Sequence, residues 1–185
     1  KEFGHNLSQV ALPEIVSMFE NTGIKPKDIT KIIVVNGPGS FTGIRIGITI
    51  AKVYAWSLKV PITTITSLEA MAVSSKDDKI KVPVIDARRG YCYAGIFSKE
   101  NEIILKPTYI TYKELQKELD KQTDYKLITN DNEKVELAKA TVESYNPDIV
   151  RIAEVFKNKK EVNPHAINPD YLKLTEAEES KQGCY

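Results

Sequence analysis

The sequence predicts an α/β protein in which parallel strands alternate with helices. Ile32–Val35 is an unbroken run of β-branched residues, a pattern typical of a strand buried on both faces. A glycine-rich turn, an apolar helix over about 43–58 and a second β-branched run at 62–66 follow it, in the strand, helix, strand order of a parallel sheet. With 185 residues, 42% hydrophobic and 28% charged, the composition is that of a folded globular chain, and it excludes intrinsic disorder.

A first helix is predicted before this unit, over about residues 6–21. Its apolar residues recur at steps of three and four, and they are Leu7, Val10, Ala11, Ile15, Met18 and Phe19. Ser8 is the expected N-cap, and Gly23 is expected to end the helix in the left-handed conformation. Pro13 lies about one turn inside and predicts a local kink.

The second half of the chain predicts a meander of strands followed by short helices. Gly90 supplies the positive φ of a tight hairpin between two strands, and Thr111 with Glu114 forms a capping box. The expected strands are 82–86, 91–97, 102–105 and 126–129, the expected helices are 111–121 and 147–157, and the tail is extended at 171–174. We expect an N-terminal domain at 1–75 and a C-terminal domain at 76–185, and leave open whether the tail packs back on the first.

Charge and cysteine content restrict the class of protein. The net charge is +1, so no concentrated basic footprint indicates nucleic-acid binding. Cys92 and Cys184 are far apart, which excludes a zinc knuckle or disulfide framework and favours a reducing cytoplasm. The longest apolar stretch is interrupted by Arg45 and Lys52, so no membrane span is expected. We therefore expect a cytoplasmic protein.

The glycine-rich turn is a candidate anion loop. A strand that ends in glycines and hydroxyl residues before a helix leaves backbone N–H groups pointing at one place. The residues concerned are Gly37, Gly39, Ser40, Thr42 and Gly43. Their spacing matches neither the dinucleotide fingerprint nor the Walker loop. The alternative is a structural corner in which Ser40 or Thr42 caps the helix.

The helix after this turn has more apolar surface than one sheet can cover. Gly43, Gly47, Ala51 and Ala55 recur every four residues and form a ridge with almost no side chain. Apolar residues flank the ridge on both sides, so the helix should be buried on more than one side. Either the first helix or a second protein chain could cover the remainder. Trp56 lies among polar neighbours and is a candidate interface anchor.

Catalytic constellations are scarce in the sequence. His5 and His165 are too far apart to form a paired metal site, and each is expected to be a surface or capping residue. Asp86 ends a strand beside Arg88 and Arg89, where it could act as a base or hold Mg2+, although an ion pair or turn cap is the simpler interpretation. The basic run 157–160 is interpreted as a helix end.

Several of these segments carry a family resemblance. The sequence closely resembles the bacterial TsaB (YeaZ) family in four places. They are residues 34–47 with Ala51, Lys52 and Pro61, the stretch 66–70, the Asp-Ala-Arg-Arg element at 86–89 and the ending 169–178. The resemblance implies a ribonuclease-H-like, actin-like fold of two subdomains. It also implies a noncatalytic scaffold in the formation of threonylcarbamoyladenosine beside the anticodon of tRNAs that read ANN codons. The family's β-hairpin-rich beginning has no counterpart here, so the first strands are expected to be missing.

The same resemblance implies partners and an interface. The chain should pair with a TsaD-type catalytic subunit, work with a TsaE-type ATPase, form a homodimer when alone and reach tRNA through the complex. The first two helices should make the contact, through Val10, Ile15, Phe19, Ile44, Arg45, Gly47, Ile48, Ala51, Lys52, Ala55 and Trp56. No catalytic residue, metal or cofactor is expected in this chain alone, whereas ATP or ADP and Mg2+ or Zn2+ would belong to the assembled complex.

Two other functions remain open from the residues. An autonomous ATP-dependent phosphotransferase or a peptidase of the same superfamily would use the glycine turn and Asp86. Direct RNA binding would use Arg45, Lys52 and Lys59 along one helix, together with the basic run 157–160.

Overall fold

A computed structural model describes residues 7–131, 135, 137 and 141–173 of the chain. Its helices are α1 (Leu7–Thr22), α2 (Phe41–Leu58), α3 (Ser67–Ser74), α4 (Tyr112–Leu119) and α5 (Ile149–Phe156). Its strands are β1 (Ile32–Val35), β2 (Ile62–Ile65), β3 (Ile80–Asp86), β4 (Tyr91–Phe97), β5 (Ile103–Thr111), β6 (Tyr125–Ile128) and β7 (Thr141–Glu143). No helix within these ranges combines the length and apolarity needed to cross a membrane.

The chain divides into two compact units. Unit 1 contains the described residues up to Ile65 together with Phe156–Pro169, and unit 2 contains Thr66–Val155 with the described residues from Asp170 onward. The division therefore falls after residue 65 rather than after the predicted residue 75, because α3 contacts the strands β3 and β4. The segment 156–169 returns to unit 1 from the far end of the sequence.

Unit 1 is built on the predicted strand, helix, strand element. β1 and β2 pair in parallel, with Ile32 opposite Ile62. Ser40 caps α2 at its N-terminus, and Lys59 ends it in the left-handed conformation. The helix packs on the two strands and on the returning segment, and the core they share contains Val34, Ile48, Ala51, Ala55, Ile62 and Ile167.

Backbone carbonyls of the returning segment are held by side chains of unit 1. The Lys31 ammonium donates to the carbonyls of Lys157 and Lys159, at 2.7 and 3.0 Å. The Lys52 ammonium donates to the carbonyls of His165 and Ile167, at 3.4 and 3.1 Å. These bonds satisfy carbonyl groups that regular secondary structure leaves unpaired, and they fix the segment in place.

Unit 2 is a mixed sheet with the strand order β5-β4-β3-β6-β7. β3, β4 and β5 form the antiparallel meander, whereas β6 and β7 pair in parallel on the other side of β3. Alternate residues of the strands point to opposite faces. One face packs with α4 in a core of Val82, Val84, Cys92, Ala94, Ile96, Leu115, Leu119 and Leu127. The other packs with α3 in a core of Leu68, Met71, Ala72, Phe97 and Ile128.

Most predicted elements are confirmed within a few residues, and the differences have physical reasons. The strand predicted at 102–105 continues to Thr111, because β5 pairs with β4 along its whole length. Ser8 lies inside the first turn of α1 rather than at its N-cap. Helix α3 was not predicted, although Thr66 and Glu69 form a capping box that indicates its start. Strand β7 was also not predicted. The tail was expected to be extended from residue 171, but its described part bends, with Leu172 at φ 53°, and Leu174 lies outside the described residues.

Candidate functional site

Helix α1 carries apolar side chains that its own unit does not cover. No residue of α1, all of which is described, is buried. Leu12, Val16 and Met18 each keep about half of their surface exposed. A Cβ built on Gly43 would lie 3.6 Å from the Leu7 side chain, so the start of α1 lies against the first turn of α2.

Helix α2 has one buried and one exposed face. Ile48, Ala51 and Ala55 are buried in the core of unit 1. The opposite face follows the helical repeat through Phe41, Arg45, Thr49, Val53 and Trp56, all of them exposed. Phe41, Val53 and Trp56 expose 56%, 55% and 67% of their surface. The Arg45 guanidinium lies 4.0 Å from the centre of the Phe41 ring, a cation–π contact. We use the name helix-pair surface for six exposed apolar residues. They are Leu12, Val16 and Met18 of α1 and Phe41, Val53 and Trp56 of α2.

Three of the four small residues of the predicted ridge lie against other parts of the chain, and Gly47 does not. Ala51 and Ala55 contact the core, and Gly43 contacts Ser40 and Leu7. Gly47 differs, because a Cβ built on it would meet no heavy atom within 4 Å among the described residues, apart from the backbone of its own helix. Of the predicted ridge, Gly47 is the position where open space remains beside the helix backbone.

The predicted interface residues therefore separate into two groups. Val10, Ile15, Phe19, Ile44 and Gly47 are partly exposed, and Arg45 and Trp56 are exposed. Ile48, Ala51 and Ala55 are covered by the core of unit 1, and their assignment to an exposed partner surface was wrong because β1, β2 and Ile167 occupy that side of α2. Lys52 is likewise engaged by carbonyls of its own unit, which also weakens the basic stripe suggested for direct RNA binding. Partner contact itself stays a prediction.

The glycine turn forms a capped corner at the start of α2. The Ser40 hydroxyl accepts a hydrogen bond from the Gly43 N–H at 3.3 Å, as the structural alternative predicted. Gly37 is buried with φ 123°, a conformation that favours glycine. Beside it, the Asn36 side-chain carbonyl oxygen is buried without a hydrogen-bond partner among the described residues. That atom is an acceptor and would repel a phosphate oxygen, so it does not favour anion binding. A nucleotide at Gly37, Gly39, Ser40, Thr42 or Gly43 stays a prediction.

Asp86 links the end of β3 to α4. Its carboxylate accepts a hydrogen bond from the Tyr112 hydroxyl at 3.1 Å, and its backbone N–H donates to the Asp131 carboxylate at 3.2 Å. Burial, followed by the charge of Asp86, raises the pKa of Tyr112. The opposite strand places Cys92 beside Asp86, and burial raises the pKa of this thiol to about 12. Both groups therefore stay protonated near neutral pH, as expected of a structural tether.

The remaining candidates have structural contacts. The backbone N–H of His165 donates to the Asn163 side chain at 2.9 Å, at the start of a short 3₁₀ turn. His5 lies outside the described residues. Within the described ranges, no three His, Cys, Asp or Glu side chains are grouped as metal ligands would be.

Comparison with known proteins defines the class first. The family model described as "TsaD: tRNA N6-adenosine threonylcarbamoyltransferase" matches residues 2–162. Two solved structures of Pseudomonas aeruginosa proteins match with a TM-score of 0.77 at 20% identity, one titled YeaZ and the other an uncharacterized protein with similarity to peptidase YEAZ. They cover 93% and 91% of this chain, and 87% and 85% of their own. This likeness shows the fold, and the class is the actin-like α/β proteins of the TsaD type.

Sequence comparison then defines the family. The tRNA threonylcarbamoyladenosine biosynthesis protein TsaB of Bacillus subtilis is 35% identical over 94% of this chain and 82% of the relative. The protein of the same name from Escherichia coli is 32% identical over 56% of this chain and 50% of the relative. The chain belongs to the TsaB (YeaZ) family.

Proposed function

We propose that this chain is a noncatalytic subunit in tRNA threonylcarbamoyladenosine biosynthesis, working in the cytoplasm and stabilising a TsaD-type catalytic subunit through the helix-pair surface. The observation that carries the proposal is the exposure of six large apolar side chains on α1 and α2. Exposed apolar patches on a folded unit indicate an interaction site. The names of the curated relatives place them in the same pathway.

The exposed apolar area of the helix-pair surface supplies only part of the free energy that a stable contact needs. Burying a large apolar side chain completely contributes about 1.5–3 kcal/mol, so covering the exposed half of each contributes roughly 1 kcal/mol. Six such residues then contribute roughly 6 kcal/mol, which is comparable with the 4–15 kcal/mol that association costs in lost motion. The remaining stabilisation must come from close packing between helices. Trp56 is the aromatic anchor of this surface.

The proposed assembly includes further components. A TsaE-type ATPase completes it, and the same helices make a homodimer when the chain is alone. This chain holds no nucleotide or metal by itself, whereas ATP or ADP and Mg2+ or Zn2+ act in the assembled complex. The tRNA is the substrate of the whole assembly.

Reconstitution tests the proposal directly. Threonylcarbamoyladenosine formation is measured on unmodified tRNA with the TsaD-type and TsaE-type subunits, with and without this chain. We expect product to depend on this chain. Equal product in its absence would show that the catalytic subunit needs no such support.

A pair of matched variants tests the surface. Trp56→Ala should weaken association with the catalytic subunit by about 30-fold or more, the effect of losing an interface anchor worth at least 2 kcal/mol. Ile149→Ala is the control, because Ile149 on α5 is exposed to the same degree, 68% against 67%. Equal effects of both variants would show that the contact does not involve α2.

A further inference from the structure

The turn between β3 and β4 holds two arginines in an uncommon backbone conformation. Arg88 has φ 66° and Arg89 has φ 54°, and Gly90 continues the left-handed run at φ 79°. Residues other than glycine, asparagine and aspartate rarely adopt this region. Both arginines are exposed, and in the described part of the chain neither guanidinium has an ion-pair or hydrogen-bond partner. The turn therefore presents two adjacent free cations.

Three backbone hydrogen bonds hold the turn in place. The Ala87 N–H donates to the Tyr91 carbonyl at 3.0 Å, and the Tyr91 N–H donates to the Arg88 carbonyl at 3.1 Å. The Tyr112 N–H, at the start of α4, donates to the Gly90 carbonyl at 3.1 Å. A backbone held in this way keeps the two charges close together, which lowers the entropy lost when a ligand binds them.

A stack of tyrosines begins where the turn ends. The rings of Tyr91 and Tyr109 are parallel within 5°, with their centres 4.7 Å apart. Tyr109 also contacts the tilted ring of Tyr93, and the Lys173 ammonium lies 5.6 Å from its centre. Tyr91 keeps 37% of its surface exposed. Tyr91 is therefore the open end of the stack, next to the arginine turn.

We propose that Arg88, Arg89 and Tyr91 form an RNA-contact surface on unit 2, where the guanidinium groups bind backbone phosphates and an unpaired base stacks on the Tyr91 ring. Arginine forms paired hydrogen bonds with phosphate oxygens. Surfaces that bind single-stranded nucleic acid combine such cations with flat aromatic rings. An acidic protein segment would use the cations but would gain little from an open tyrosine stack. RNA is therefore the partner that uses both features.

The inference rests on the tRNA substrate of the proposed function, but it does not depend on the helix-pair surface. The test measures the affinity of the full chain for an unmodified tRNA transcript between 0.05 and 0.3 M salt, in the presence and absence of the catalytic subunit. The double variant Arg88→Asn, Arg89→Asn removes both charges while keeping a residue type that tolerates the left-handed conformation. Lys117→Gln on α4 together with Lys121→Gln, two residues beyond the end of α4, is a control with the same loss of charge.

Two results are expected. Losing two phosphate contacts should weaken binding about 25- to 60-fold at 0.1 M salt and reduce the slope of log affinity against log salt by about 1.4 to 1.8, whereas the lysine control should change neither by as much. Tyr91→Ala should weaken binding about 5- to 150-fold without changing the slope, and Tyr91→Phe should restore it.

Three outcomes would overturn the inference. The first is an arginine variant that binds tRNA with the affinity and slope of the parent chain. The second is a parent chain that binds no tRNA in either setting. The third is an arginine variant that loses the catalytic subunit while tRNA binding is unchanged, which would assign the surface to an acidic protein partner. Association with the catalytic subunit is measured separately through Trp56→Ala, so failure of the helix contact is distinguishable from failure of the RNA surface.

Discussion

Replacing Gly47 with alanine should stabilise the isolated chain by about 0.5–1 kcal/mol. Glycine inside a helix costs about this much relative to alanine, because the unfolded chain loses more freedom on folding. Apart from its own helix backbone, no atom of the described part of the chain lies within 4 Å of the added Cβ, so no clash offsets the gain. For a chain of this length the change corresponds to a rise of about 1–4 °C in melting temperature. Denaturant unfolding measures the change in the free energy of unfolding. The measurement is made at several protein concentrations, because the proposed homodimer uses the same helix and would make the apparent stability depend on concentration.

The larger variant Gly47→Leu separates folding from association. Because the Cβ at this position meets no described residue outside the helix, folding of the isolated chain should be preserved. Where a partner helix approaches Gly47 closely, the added side chain should overpack the contact and cost about 1–3 kcal/mol, which is a 5- to 150-fold weaker association. Ala51→Leu is the control, because Ala51 is buried in the core of unit 1. That change should destabilise folding itself by a similar amount.

Two results at Gly47 would contradict these expectations. If Gly47→Ala destabilised the dilute, monomeric chain, the space beside Gly47 would be filled by the chain itself. If Gly47→Leu folded normally and bound the catalytic subunit and its own copy with unchanged affinity, no partner helix would approach α2 at this position.

Three further predictions concern single side chains. Ser40→Ala should lower the free energy of unfolding by about 1 kcal/mol, since it removes the N-cap of α2, and an unchanged denaturant midpoint would contradict it. The hydrogen bond from Lys126 lowers the pKa of Asp77 below 3.8. The stabilisation by this carboxylate is therefore present above pH 3.8 and is lost as the pH falls through the lowered pKa. In Asp77→Asn, the free energy of unfolding should decrease less steeply as the pH is lowered. The pKa of Cys92 rises from 9.0 to about 12, so stability should fall as pH rises from 9 toward 12, and less steeply in Cys92→Ala.

The apolar pattern of α2 predicted that the helix is covered on more than one side, but it could not assign the sides. The four-residue spacing of Gly43, Gly47, Ala51 and Ala55 is expected whether the helix packs on the chain's own sheet or on a partner chain. The assignment depends on β1, β2 and Ile167, which come from distant parts of the sequence. Periodicity is a local property, whereas the buried face is decided by tertiary contacts.

The arginine turn shows a different limit. The sequence predicted a hairpin because Gly90 readily adopts positive φ, and that turn is present. It did not predict left-handed Arg88 and Arg89, because propensity alone disfavours them there. The capping box of Thr66 and Glu69 was readable in the sequence and would have located α3. Local signals were thus sufficient for ordinary elements and insufficient for the strained turn.

The return of residues 156–169 to unit 1 has a consequence for synthesis on the ribosome. The sheet and helices of unit 2 lie mostly in the uninterrupted stretch from Thr66 to Val155, so that unit can begin to fold while the chain is still emerging. Most of unit 1 precedes this stretch in the chain, but Ile167, a member of its core, is made only after the stretch is complete. While unit 2 is being made, α1 and α2 therefore lack the part of their core that the segment 156–169 supplies. In this interval the nascent chain is most exposed to premature aggregation or to binding by a chaperone.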